Sequence, residues 1–507
     1  MGEIAGEKRA GGTCADEGYC EMTCREGQAQ LRIILQRRSA LSSLFLHSSR
    51  DFHDIYHLMR PINYPLPLLF AVLCYAAITL LVYQQDMLFA IQDFSVWQNG
   101  TDFLRSCISR PYGLLQWSAC LLTQFFYYPW LGVAVLMSVW GISGYLTHRA
   151  LRLPQSSAWL IPLPVFCLLI PFTQMGYWLY IVKLSAFWYL PTLLWLWWSV
   201  MLWLAFRIEG KTLKCGACLL WLCVITPWNG LQVHPFDSID EFMYIPHKLL
   251  VVVLALQLVA KYGARYYSGR RRLDTMIASL SIPVLGFALV WSVMLNYRNP
   301  SFHSELRMER MAERGDWQAI IGETERSARK PTLNMILLRD LSLLHTGRLD
   351  DDRGLSCDGV RPDMLHGPKV YLCYTGGPMI YYLAGYVCDA YRWTLENAVE
   401  YGYTPQRLRI LLLCAMQNHE WDLARKYVRL LRQTFFHRDF ADSLSPLIGH
   451  PERFSSVPIL HAVGKIKQKE TRLMPAVIFM EPLIFNDNHS PLKKHRQCHF
   501  EGKQLTY

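Results

Sequence analysis

Residues 234–247, HPFDSIDEFMYIPH, place three carboxylates and two imidazoles within fourteen positions: His234, Asp237, Asp240, Glu241 and His247. Such side chains can hold a divalent cation or move protons as general acid and base. His234, Asp237 and His247 are the candidate metal ligands. A second acidic set, Asp86, Asp93 and Asp102, sits upstream together with Arg105 and Arg110. Carboxylates from either set are catalytic candidates only if they converge on one cavity; scattered, they are solvated loop charges. No cofactor other than a divalent metal is suggested. Cys215-Gly-Ala-Cys218 has redox spacing but no βαβ context and no second ligand pair. Gly376-Gly377-Pro378 lacks the Lys-Ser/Thr of a phosphate loop.

The elements that must position these residues are apolar. Residues 111–146 run without a single charged side chain and are dense in aromatics, whereas a bilayer crossing takes about twenty apolar residues with Trp and Tyr at its interfaces. Pro129 breaks the run. It divides into an interfacial helix near 113–128 and a true span over 130–146, with a hairpin of two spans as the rival reading. Further spans are expected over 66–83, 159–173, 184–206, 215–228, 248–260 and 275–295, seven in all. The third carries Pro162, Pro164 and Pro171, so it should kink and need neighbours for its freed carbonyls. The fourth carries Trp188, Trp195, Trp197, Trp198 and Trp203, a pattern that suits lipid-facing and interfacial tryptophan better than a stacking platform for a ligand.

Residues 1–60 lack a continuous apolar run and a cleavage site, so they read as a cytoplasmic, partly disordered leader and not as a signal peptide. Met59 is an alternative start to Met1. The fifteen cysteines show no disulfide-scaffold spacing, and Cys74, Cys120, Cys167 and Cys223 lie within apolar spans. The formal charge of +11 does not point to nucleic acid, because basic residues gather beside spans, where the positive-inside rule accounts for them. Arg149 with Arg152, Arg207 with Lys211 and Lys214, and Arg265 with Arg270, Arg271 and Arg272 mark every second loop. With one crossing in 111–146, those turns and the leader fall inside. Loop one, the 234–247 loop and the tail fall outside.

From about residue 298 the apolar pattern becomes that of amphipathic helices, with Leu306, Met308, Met311, Trp317, Ile320 and Ile321. Residues 312–317, AERGDW, recur as residues 416–421, MQNHEW, each a helix end, a polar turn and a Trp opening the next helix. Their separation is close to three tetratricopeptide periods of about 34 residues. The fold class expected is therefore all-α: a polytopic transmembrane helical bundle (61–297) followed by a tetratricopeptide-like α-solenoid (298–445). Residues 446–507 are expected to be a loose polar and basic tail. Trp317 and Trp421 are expected to pack between solenoid helices.

The string LLTQFFYYPWLG, with Pro111 and Gly113 upstream, resembles a signature of an uncharacterised family of bacterial polytopic membrane proteins whose tails are helical repeats. Gly315-Asp316-Trp317-Gln318-Ala319-Ile320-Ile321, Gln406-Arg407-Leu408, Ala424-Arg425-Lys426-Tyr427 and Gln433-Thr434-Phe435-Phe436 extend the match over most of 61–440. The resemblance implies topology and domain order, with no catalytic residue to carry over. The function expected is that of an inner-membrane protein, in contact with lipids, whose repeat face scaffolds a protein partner in envelope assembly, with a periplasmic tail and no nucleic acid. The alternative is an enzyme similar in plan to C-type glycosyltransferases that use lipid-linked sugars; a transporter is third.

Overall fold

The computed structural model describes residues 65–109, 113–182, 185–207, 245–267, 271–294, 296, 300–326, 332–348 and 377–466. Every regular element among them is helical. Pro65–Tyr83 forms α1, and loop one holds two short helices, α2 (Gln85–Asp93) and α3 (Thr101–Ile108). Next come α4 (Gly113–Gln124), a 3-10 turn (Phe125–Tyr127) and α5 (Pro129–Leu151). Pro129 occupies the first turn of α5, where its missing N–H costs nothing. At a rise of 1.5 Å per residue, the 12-residue α4 is about 18 Å long, short of the ~30 Å apolar core of a bilayer. Only α5 in the uncharged stretch is long enough to cross.

The proline-rich segment becomes a 3-10 turn (Gln155–Leu160) followed by α6 (Leu163–Gln174), with Pro171 inside the helix. Most of residues 155–174 are buried, so the carbonyls freed there meet protein; the Leu160 carbonyl, for one, accepts from Gln257 Nε2 at 2.9 Å. Two 3-10 turns (Gly176–Ile181 and Ser185–Trp188) lead to α7 (Leu190–Arg207). Then follow α8 (Ile245–Tyr267), α9 (Arg271–Ser279) and α10 (Ser281–Met294). Among the described residues, five helical segments are long and apolar enough to cross a membrane: Pro65–Tyr83, Pro129–Leu151, Gln155–Gln174, Leu190–Arg207 and Arg272–Met294. Of the other expected spans, 248–260 lies within α8, and 215–228 lies outside the described residues, as does the leader.

Small residues and hydroxyls join these helices, as expected where apolar faces alone give little selectivity. A Cβ on Gly144 would come within 2.6 Å of Leu69, so α1 and α5 meet at a bare backbone. Trp140 Nε1 donates to Thr192 Oγ1 at 2.9 Å, and the hydroxyls of Thr147 and Ser199 lie 2.8 Å apart. Trp188 and Trp195 are buried in this core.

The tail consists of α11 (Pro300–Arg314), α12 (Trp317–Arg326), α13 (Leu333–Thr346), α14 (Gly377–Leu383), α15 (Val387–Tyr401), α16 (Pro405–Gln417), α17 (Trp421–Arg432), α18 (Arg438–Leu444) and α19 (Pro458–Ile466). Successive helices pack around a second core that includes Met308, Leu337, Ile380, Leu411, Val428 and Leu460. Residues 446–466 differ from the expected loose tail. Ile459, Leu460 and Val463 share one side of α19 and are buried in that core, and Gln417 Nε2 donates to the Leu460 carbonyl at 2.6 Å. Pro451 and Pro458 open short helices here, since proline suits a first helical turn.

The two matched sequence turns share one geometry. Gly315 has φ 69° and His419 φ 61°. At the first, the Gly315 N–H donates to Ala312 O (3.0 Å) and the Asp316 N–H to Met311 O (2.9 Å). At the second, the His419 N–H donates to Met416 O (3.1 Å) and the Glu420 N–H to Ala415 O (2.8 Å). Both are left-handed helix terminations of the Schellman type. Trp317 and Trp421, which open the following helices, are half-buried, the first against His345 and the second against Phe454. A left-handed φ penalises any side chain with a Cβ by ~1–2 kcal/mol. His419→Gly is therefore expected to raise the thermal stability of the purified protein. Gly315→Ala, whose Cβ would also lie 3.1 Å from Pro458, is expected to lower it by ~1 kcal/mol or more. Equal melting temperatures for wild type and both variants would contradict the shared geometry.

Candidate functional site

Loop one and the tail meet through charged side chains. Asp86, in the first turn of α2, accepts from Arg307 at 2.5 Å and also from Arg310, both on α11. Arg307 extends the contact to Glu323 of α12 at 2.6 Å. Asp93, the last residue of α2, takes both arms of the Arg409 guanidinium, at 2.7 and 2.6 Å. Arg409 belongs to the apolar helix α16 and is 4% exposed. It also donates to both oxygens of Glu313 on α11, at 2.9 and 2.8 Å, and lies 3.1 Å from His437 Nδ1. A guanidinium forked onto carboxylates is the ion pair with the best geometry for burial.

Burial pushes the Asp93 carboxyl up, but the charge and hydrogen bonds of Arg409 outweigh it and hold the group below its ordinary value. Glu313 moves the other way, because burial exceeds its share of the Arg409 charge. His437 is pushed down to about 3 by burial and by Arg409, so it is neutral. Its Nδ1 faces Arg409, and its Nε2 lies 3.0 Å from the side-chain amide nitrogen of Gln92.

Two further carboxylates continue one stripe of α11 at helical spacing. Glu309 accepts from the Tyr180 hydroxyl at 3.1 Å. Glu305 accepts from the Tyr177 hydroxyl at 3.0 Å, from Asn334 at 3.4 Å and from the Thr332 hydroxyl. Neither has a cation among those partners. Burial drives Glu305 up to about 7; burial and then the nearby Glu305 drive Glu309 up to about 8. Glu309 is therefore mostly a neutral carboxylic acid at about pH 7, and Glu305 titrates around neutrality.

Of the loop-one candidates, the structure engages Asp86 and Asp93 in ion pairs, while Asp102 is exposed on α3 and joins neither. The three do not converge on a cavity. His234, Asp237, Asp240 and Glu241 lie outside the described residues, as does the side chain of His247. Among the described residues, no group of three or more His, Cys, Asp or Glu is arranged to hold a metal ion. The sequence reading missed Arg409, His437 and the Glu305, Glu309 and Glu313 stripe. The four-residue spacing of the glutamates was visible, but the intervening arginines make α11 look solvent-facing.

The two signature strings also meet. The Tyr127 ring stacks on Phe436 with centroids 4.8 Å apart and planes 8° from parallel. Phe125 and Trp97 both meet the Phe435 ring edge-on, at 5.9 and 5.6 Å. The Asn99 N–H donates to the Gln433 carbonyl at 2.8 Å. Fold and site together define an all-helical protein that carries bilayer-length apolar helices and a helical tail fastened to them by a buried ionic centre. Residues 60–488 match the model of a family of unknown function, DUF6057, and the chain belongs to that family. No curated protein and no solved structure gives a match.

Arg409→Ala would leave Asp93 and Glu313 buried without their cation, a loss of ~3–5 kcal/mol. We expect thermal unfolding of the variant at markedly lower temperature, and an unchanged transition would remove the buried centre from the account of stability. Glu309 contributes in the opposite sense with pH. Its folded pKa of about 8 lies above the ordinary 4.5, so its contribution is fully present below about pH 4.5 and is lost as pH rises through about 8. Glu309→Gln cannot ionise. Its melting temperature relative to wild type should therefore rise between about pH 6 and pH 9, and a difference independent of pH would contradict a protonated Glu309.

Proposed function

We propose that the chain is a multi-pass inner-membrane protein that presents its helical tail as a rigid docking platform for a protein partner in envelope assembly. The observation that carries this reading is the Arg409 fork, which unites α2 of loop one with α11 and α16 of the tail. A tail fastened this way cannot tumble on a linker, and stacked helix pairs with a shared core suit the binding of a peptide or protein on one face. The repeated left-handed turns before Trp317 and Trp421 support a tetratricopeptide-like arrangement.

Contact between loop one and the tail supports the seven-span topology. Segments on one side of a bilayer are separated by an even number of crossings; seven spans leave six between Tyr83 and Pro300, and a hairpin in 111–146 would leave seven. The basic ends cluster away from this contact. Arg149 closes α5, Arg207 closes α7, and Lys261 of α8 lies 5.8 Å from the Phe206 ring beside Arg207. By the positive-inside rule that end is cytoplasmic and the tail is periplasmic. The glycosyltransferase-like alternative needs a free external carboxylate, and the ion pairs of Asp86 and Asp93 favour a structural role for both.

An alkaline phosphatase reporter fused after Tyr507 is expected to be active, and a fluorescent reporter that matures only in the cytoplasm is expected to stay dark. The reverse pattern would overturn the orientation.

A further inference from the structure

The packed signature strings enclose more than a contact. Between loop one, the turn ahead of α5 and the α17–α18 connection lies a half-open cavity of about 350 Å³. Its walls include Trp97, Tyr128 and Phe435, and its charged rim is formed by Arg432, Arg438 and Asp439. Arg432 is steadied by Asp442 through a 2.6 Å ion pair. Arg438 makes no ion pair among the described residues and is exposed. We propose that this cavity binds the phosphate of an anionic phospholipid headgroup in the leaflet that faces the tail.

Three features carry the assignment, which rests on the membrane reading above. The cavity is level with the start of a spanning helix, since Tyr128 lines it and Pro129 opens α5. Exposed aromatics stand at the cavity, with Tyr128 46% exposed in its lining and neighbouring Trp130 64% exposed, the residue types that settle at the headgroup level. With Arg432 paired to Asp442, the exposed Arg438 guanidinium, which makes no ion pair among the described residues, faces the cavity as the group that can take phosphate oxygens, which guanidinium matches best. The volume suits a headgroup and excludes a whole lipid, whose acyl chains would stay in the bilayer against these aromatics.

The test uses the full-length protein in detergent, titrated with phosphatidylglycerol or phosphatidylcholine and observed by native mass spectrometry. Phosphatidylglycerol is expected to occupy the protein at about tenfold lower concentration than phosphatidylcholine. Arg438→Gln should abolish that preference, the loss of one charge-assisted contact, and Arg438→Lys should keep part of it. Equal binding of the two lipids by wild type, or an undiminished preference in Arg438→Gln, overturns the proposal. A parallel arm adds inorganic phosphate. Displacement of the lipid by millimolar phosphate would reassign the cavity to the free ion and overturn the lipid assignment. Should Arg438→Gln aggregate, the wild-type selectivity decides by itself. Failure of the membrane reading is separately visible as release of the protein from membranes by alkaline carbonate.

Discussion

A guanidinium that is nearly sealed from water must bring its counter-charges with it, and that constraint at Arg409 organises the molecule. Its partners come from distant parts of the chain: Asp93 from loop one, Glu313 from the helix that leaves the bundle, His437 from the turn after α17. Desolvating one such ion costs several kcal/mol, which is recovered only when forked geometry and extra hydrogen bonds coincide. Arg409 has both. No large drift of the tail across the bundle is compatible with that geometry, so the ion pair fixes the placement of a domain as well as a residue.

The class of fold was legible because its signals are local. An uncharged run, a proline after two tyrosines and a switch to helical periodicity near 300 each depend on neighbouring residues alone, and α4, α5 and α11 fall where those signals place them. The repeated turn was also legible, down to the equivalence of Gly315 and His419, although a histidine in that position disguises it. The ionic centre was not. A pairing such as Asp93 with Arg409 spans 316 positions, and nothing in either neighbourhood distinguishes a buried charge from a solvated one. Asp93 ends a loop helix with ordinary polar company. Arg409 interrupts an apolar helix, and that interruption was the one local hint. The same limit explains α19: its apolar residues are few, and their burial depends on helices contributed by the rest of the tail.

The aromatic contact and the ionic centre reinforce each other physically. Tyr127 stacks on Phe436 while the adjacent His437 accepts from Arg409 and faces Gln92, which in turn donates to Gln124 at 3.0 Å. Apolar rings on one side thus exclude water from hydrogen bonds on the other, raising the strength of each. The two signature strings therefore act as one structural unit, although more than three hundred positions separate them.

Charge balance explains how such a unit can sit beside apolar helices. Asp86 and Glu323 are matched by Arg307 and Arg310, and Asp93 is matched by Arg409. That leaves Glu305, Glu309 and Glu313 on α11, and burial raises all three. Glu313 shares the Arg409 guanidinium with Asp93, but ionised Glu305 and Glu309 would place two negative charges where water is scarce, at a cost of several kcal/mol. Protonation of these two removes that cost, and each accepts from a tyrosine hydroxyl. Tyr177 and Tyr180 come from the turn just beyond α6, so the neutral stripe of α11 docks on the bundle through hydrogen bonds, while the charged residues at its flanks close in pairs. A tail joined by neutral bonds at its inner edge and balanced ion pairs further out can pack against a bundle of low polarity without leaving a net charge between them.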